Sequence, residues 1–183
     1  MKNHKPPILS LTLPYLNSIL CAIISLSKAK EKKGCKMANI LDISAFEKGK
    51  KYISIGKLSP DKVAFLIEKA PHMSEILNSD TDILFWKDRI KHTELHKDDF
   101  ISDNEYFNCL EQIPSIIAEP DYLSIHPKDN SISFIKNFSA HVSVAIRVSA
   151  SGALSYRTMY PVTDAQLTDY IAKGRAWAWN EKD

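Results

Sequence analysis

Val142-Ser-Val-Ala-Ile-Arg-Val148 places apolar side chains at every second position, with Ser143, Ala145 and Arg147 between them. A two-residue period is the repeat of a β-strand. Here it predicts one face buried in a core and the other wetter. Three more β-rich runs surround this one: Tyr122–Ile125, Ile132–Lys136 and Leu154–Met159. Between them lie turn formers, in Pro127-Lys-Asp-Asn130, Asn137-Phe-Ser139 and Ser149-Ala-Ser-Gly152. Short strands joined by short turns make a four-stranded antiparallel meander.

Upstream of the meander the texture is helical. Lys51-Tyr-Ile-Ser-Ile-Gly56 alternates as a short strand. Ser59-Pro60-Asp61 then supplies an N-cap, a proline at the first helical position and an acid in the first turn. Ala70-Pro71 ends that helix. Asp82–Phe85 reads as extended, Trp86 to about Lys97 as a second helix, and Asn104–Ile117 as two short helices broken near Pro114. Downstream of the meander, Thr163 and Gln166 form a capping box for a last helix through Lys173, stopped by Gly174. Helices first and a contiguous sheet second give an α+β domain over residues 51–175. Residues 37–50 read as a linker and 176–183 as a C-terminal tail.

The chain of 183 residues has 44% hydrophobic and 25% charged residues, which excludes a disordered or collagen-like chain. Five glycines leave no glycine-rich phosphate loop. Seven of the 24 bases and only one of the 22 acids lie in residues 1–36, so that leader carries +6 and the rest −4. A polyanion would therefore be held by a local cleft, not by a global field. The leader joins a basic start to an apolar run interrupted by Pro14, Asn17 and Ser18. A signal peptide, a membrane anchor and a start actually at Met37 all compete for it, and a misplaced start or a disordered leader is preferred. Contact of the leader with a membrane is the minority reading. Three cysteines without spacing form neither a disulfide framework nor a zinc site, and the body reads as reduced, cytoplasmic protein.

Reactive side chains concentrate in Lys87-Asp-Arg-Ile-Lys-His-Thr-Glu-Leu-His96. His92 and His96, four apart, share one helix face, flanked by Arg89 and Lys91. Two imidazoles beside a cation suit general acid–base work on a phosphodiester. The same spacing suits a metal pair, although Thr93 stands where a zinc protease carries its Glu. Two solvated surface histidines are the plainest alternative. A second cluster, Ser155-Tyr-Arg-Thr-Met-Tyr160, places Arg157 near the end of the last strand, where its guanidinium could clamp a phosphate or pair with an acid.

The order of these pieces resembles a known family. The carrying segments are Gly56-Lys-Leu-Ser-Pro60, Arg89-Ile-Lys-His92-x-x-x-His96, Ile113-Pro-Ser-Ile-Ile-Ala-Glu-Pro-Asp-Tyr122 and Tyr156-Arg-Thr-Met-Tyr160. From about Lys51 to Tyr170 the chain is similar to phage-associated nuclease domains of the barnase–EndoU–colicin–RelE superfamily (PBECR). The resemblance implies helices packed on a four-stranded antiparallel sheet, with the site between the histidine helix and the last strands. It also implies a metal-independent endoribonuclease of phage or mobile-element type, with no cofactor. His92, His96, Arg157, Thr158 and Tyr160 then fall on the family's catalytic positions, and Lys91 and Arg89 would bind substrate. The expected partners are RNA and a cognate inhibitor protein, with no lipid. A non-catalytic interaction protein, such as a degenerate nuclease or a toxin-inhibiting partner, is the alternative. A metal-dependent hydrolase comes after it.

Overall fold

The computed structural model describes residues 40–179. The leader expectations therefore lie outside the described residues. Seven strands form one sheet: β1 (Tyr52–Leu58), β2 (Thr81–Trp86), β3 (Tyr122–Ile125), β4 (Ile132–Asn137), β5 (His141–Val148), β6 (Leu154–Val162) and β7 (Ala176–Ala178). Their spatial order is β1-β2-β6-β5-β4-β3-β7. The helices are α1 (Ser44–Glu47), α2 (Pro60–Lys69), α3 (Arg89–Glu94), α4 (Asp103–Glu111), α5 (Ile113–Ala118) and α6 (Asp164–Ala172).

The expected meander is present as β3 to β6, each antiparallel to the next. The expectation of four strands is corrected to seven. β7 extends one edge by pairing with β3. The antiparallel β1–β2 pair, its strands joined through α2, extends the other through a short parallel pairing, Ile83 with Leu154 and Leu84 with Ser155. A parallel neighbour is joined by a long crossover and leaves no turn signature in the sequence, which is why the sheet looked smaller. Two boundary expectations change for related reasons. Within the stretch read as a linker, Leu41, Ile43 and Phe46 are buried. Within the stretch read as a tail, Ala176 is a buried strand residue.

The register of β5 is as the alternation required. Val144 and Ile146 are fully buried and share a face with their partners Phe134, Met159, Ile132 and Tyr156. On this face α5 packs against β1, β4 and β5, and Ile117 sits so close to Gly56 that a Cβ there would lie 3.1 Å from its Cγ2. The opposite face is drier than expected, because Ser143 is also fully buried. Its cover is α6, whose Leu167 packs with Ile135, Val162 and Ala176.

Local signals set the helix ends. Ser59 Oγ accepts from the Lys62 amide, and Thr163 and Gln166 make a reciprocal capping box. The Lys62 side chain is buried, donates to the Ala118 carbonyl at 3.0 Å and lies over the Trp179 ring. Burial depresses its ammonium pKa, against the charges of Asp61 and Glu119. The helix expected from Trp86 to Lys97 is shorter. Trp86 still belongs to β2, where it pairs with Tyr52, and helical turns resume only at Arg89.

Candidate active site

β2 accompanies β6 for only two residue pairs, and α3 then lies against the rest of β6. Buried Thr93 fastens the two. Its hydroxyl donates to the Arg89 carbonyl at 2.8 Å and accepts from the Tyr156 phenol at 2.9 Å. Tyr156 in turn stacks on Phe85, with ring centres 4.5 Å apart. Burial drives the Tyr156 phenol upward, more than the Thr93 bond lowers it, so it stays protonated. With Thr93 turned to the sheet, Arg89 and His92 are left on the flank of α3 that overlooks β6.

β6 presents its own polar residues through a bulge. Ile146 pairs with Tyr156 and Ala145 with Thr158, so Arg157 is the extra residue between them. A bulge re-aims side chains and breaks the alternation. Tyr156 therefore faces the helix layer, Thr158 faces the other way, and Arg157 projects outward at the strand. Its guanidinium donates to Asp129 and, at 3.1 Å, to Ser131 Oγ. Asp129 lies in the β3–β4 turn, where Asn130 takes a left-handed φ of 55°. The same carboxylate meets His126 Nδ1 at 3.0 Å. Burial alone would raise the Asp129 carboxyl. Bonds from Arg157 and Ser131, with the charge of His126, outweigh it and hold the pKa at about 2.

Together these elements enclose a cleft of about 720 Å³. Trp86, Asp88, Arg89 and His92 form one wall, and Ser155, Tyr156 and Arg157 the other. Arg147 from β5 and Asp129 complete the lining. Three guanidiniums thus face two carboxylates, a local cationic site on a body of net negative charge. Arg157 is engaged by Asp129. Arg147, exposed and paired across the ladder with Ser155, has no hydrogen-bond or ion-pair partner among the described residues.

The residues expected from sequence divide into two groups. Arg89, His92 and Arg157 line the cleft. His96 and Tyr160 stand beside it: the His96 ring centre is 6.3 Å from both the His92 and the Tyr160 rings. His96 Nδ1 meets Asp99 Oδ2 at 2.8 Å, which fixes that ring. Thr158 is buried, its hydroxyl without a hydrogen-bond partner among the described residues. Lys91 is exposed and does not line the cleft. Neighbouring Glu94 has its carboxyl raised by burial, against the charges of Lys97 and Lys91. No three His, Cys, Asp or Glu side chains converge as a metal site among the described residues. No helix among them is long and apolar enough to cross a membrane. Sequence reading missed Arg147, Asp129, Trp86 and Asp88. Arg147 interrupts an otherwise small and apolar strand, and that was its one available signal.

A mixed α+β domain with a histidine and three arginines around one cleft beside β6 has the chemistry to handle a phosphodiester. The chain belongs to the phage-Barnase-EndoU-ColicinE5/D-RelE like nuclease3 family, whose pattern matches residues 62–169. This is a nuclease family, and the match spans both α3 and β6, the elements that carry the cleft. No curated protein and no solved structure matches the chain.

Proposed function

We propose that this protein is an endoribonuclease that cleaves RNA without a metal ion or other cofactor. The observation that carries the reading is the convergence of His92 with Arg89, Arg147 and Arg157 on one cleft. His92 takes the proton from a ribose 2′-hydroxyl, whose oxygen attacks the adjacent phosphorus in line. Protonated His96, its ring held by Asp99, gives a proton to the leaving 5′-oxygen. The products are a 2′,3′-cyclic phosphate and a 5′-hydroxyl end. Arg157 and Arg147 stabilise the charge gathering on the non-bridging oxygens. Tyr160 orients the His96 side of the site, and Arg89 and Lys91 attract the substrate backbone. The protein works in the cytoplasm on RNA, and a cognate inhibitor protein restrains it there.

One observation favours a second reading. The Arg157–Asp129 pair occupies a guanidinium that a phosphate would need, as expected for a degenerate nuclease acting only as an interaction protein. Incubation with total RNA, with and without EDTA, separates the cases. Cleavage unaffected by EDTA and absent in His92→Ala supports the proposal. No cleavage supports the interaction protein, and cleavage abolished by EDTA supports a metal-dependent hydrolase.

A further inference from the structure

Trp86 is an apolar side chain that the fold leaves 39% exposed on the wall of the cleft. It ends β2 and pairs across the ladder with Tyr52 of β1, with ring centres 4.9 Å apart at 53°. Tyr52 therefore braces one side of the indole while the cleft side stays open. Strand alternation puts Trp86 on the same face as Leu84, whose partner across the parallel pair is Ser155, and Ser155 pairs with Arg147. The open indole and the Arg147 guanidinium, which has no partner among the described residues, thus share one face of one cleft. Next to them Asp88 stands at the start of α3, yet its side chain makes no cap bond. The Asp88 carboxylate keeps only a long ion pair, 3.9 Å from Arg89 Nε to Oδ1, so it can still accept. A braced aromatic face, a cation and an acceptor are the three elements that hold an unstacked nucleotide: its ring, its phosphate and its base edge.

We propose that Trp86, backed by Tyr52, is a stacking platform for one unpaired base next to the phosphate held by Arg147 and Arg157, which makes the substrate single-stranded. The platform rests on the reading of the cleft as a phosphodiester site. A paired base has both faces covered by its neighbours and cannot reach the indole without leaving the helix. Asp88 offers acceptor oxygens to the exocyclic amines of the stacked base.

Binding of a fluorescein-labelled, fully 2′-O-methylated hexanucleotide tests the platform without any cleavage, against an abasic oligomer with the same number of phosphates. Wild type should bind the base-bearing hexamer about 5- to 150-fold more tightly than the abasic one, the effect of stacking one base. Trp86→Leu should bring that ratio close to one, and Trp86→Phe should keep most of it. Arg147→Ala should weaken both oligomers alike. Should Trp86→Leu fail to fold, tryptophan fluorescence decides. The base-bearing hexamer should quench wild type, the abasic one should not, and Trp86→Phe should remove the quench. Equal binding of the two oligomers, binding of neither, or a base preference that survives in Trp86→Leu would overturn the platform. A base preference without cleavage of ordinary RNA would keep the platform and remove the nuclease reading. Cleavage without a base preference would do the reverse.

Discussion

Asp129 touches Arg157, Ser131 and His126 at once, and its ionisation is coupled to the shape of the cleft. An unfolded Asp titrates near ~3.9, and the folded carboxyl is held at about 2. The folded state binds fewer protons between those values, so the contribution of Asp129 is complete above about pH 4 and is lost as the pH falls through about 2. Melting temperatures from pH 2 to 5 should fall more steeply in wild type than in Asp129→Asn. The effect should be small, because both partners are partly solvated. Activity should depend on the facing side chains more sharply. His92→Ala should slow RNA cleavage by about 10²–10⁴-fold, the usual contribution of a positioned acid or base. Arg147→Ala should lower the rate by about 10²–10³-fold at unchanged melting temperature, through lost charge stabilisation. At this scale the sequence was half legible. His92 and Arg157 declared themselves by residue type and by their neighbours. Arg147 occupies a wet-face position in an alternating strand, where any long polar side chain would look the same. Asp129 looked like a turn former, because its partner is 28 residues away.

The bulge in β6 is the element that builds the site, since it lets Tyr156 serve the core while Arg157 serves the cleft. Nothing in Tyr156-Arg-Thr-Met-Tyr160 announces it. A bulge is set by the partner strand, and without one the alternation would put Thr158 on the face of Tyr156. The flanking core was easier to read. Val144→Ala should cost about 1–3 kcal/mol in denaturant unfolding, as large-to-small core changes do. Ser143→Ala should be neutral or slightly stabilising in the same measurement, because its fully buried hydroxyl has no partner among the described residues. Helix ends were legible because their chemistry is local: Ser59 and Thr163 each bond an amide three residues on. Thr163→Ala should cost about 1 kcal/mol. The α3 boundary was not local. Trp86 continues β2 because Tyr52, 34 positions earlier, is there to pair with it.

The whole sheet depends on pieces from both ends of the described chain. β7 covers the outer edge of β3, and α6 reaches its core partners Ile135, Val162 and Ala176 across the same face. A chain ending at Gly174 should therefore melt well below the full chain, and equal melting temperatures would return β7 to the status of a tail. The fold class was legible in the order of helices and strands. The strand count was not, because a parallel join and a three-residue edge strand leave little trace in a single sequence. That parallel join has a consequence for motion. β3 to β6 are held by long antiparallel ladders between near neighbours in the chain, whereas the β1–β2 pair meets them through a ladder of two residue pairs. Side-chain packing, Phe85 on Tyr156 and α5 on β1, therefore holds β1 and β2 to the meander more than their ladder does, and the cleft straddles that seam. Amides of Ile83 and Leu84 should exchange with deuterium far sooner than those of Val144 and Ile146. A strip of RNA gripped on both banks of the seam would slow that exchange, and a protease would find β1 and β2 the first strands to come within its reach.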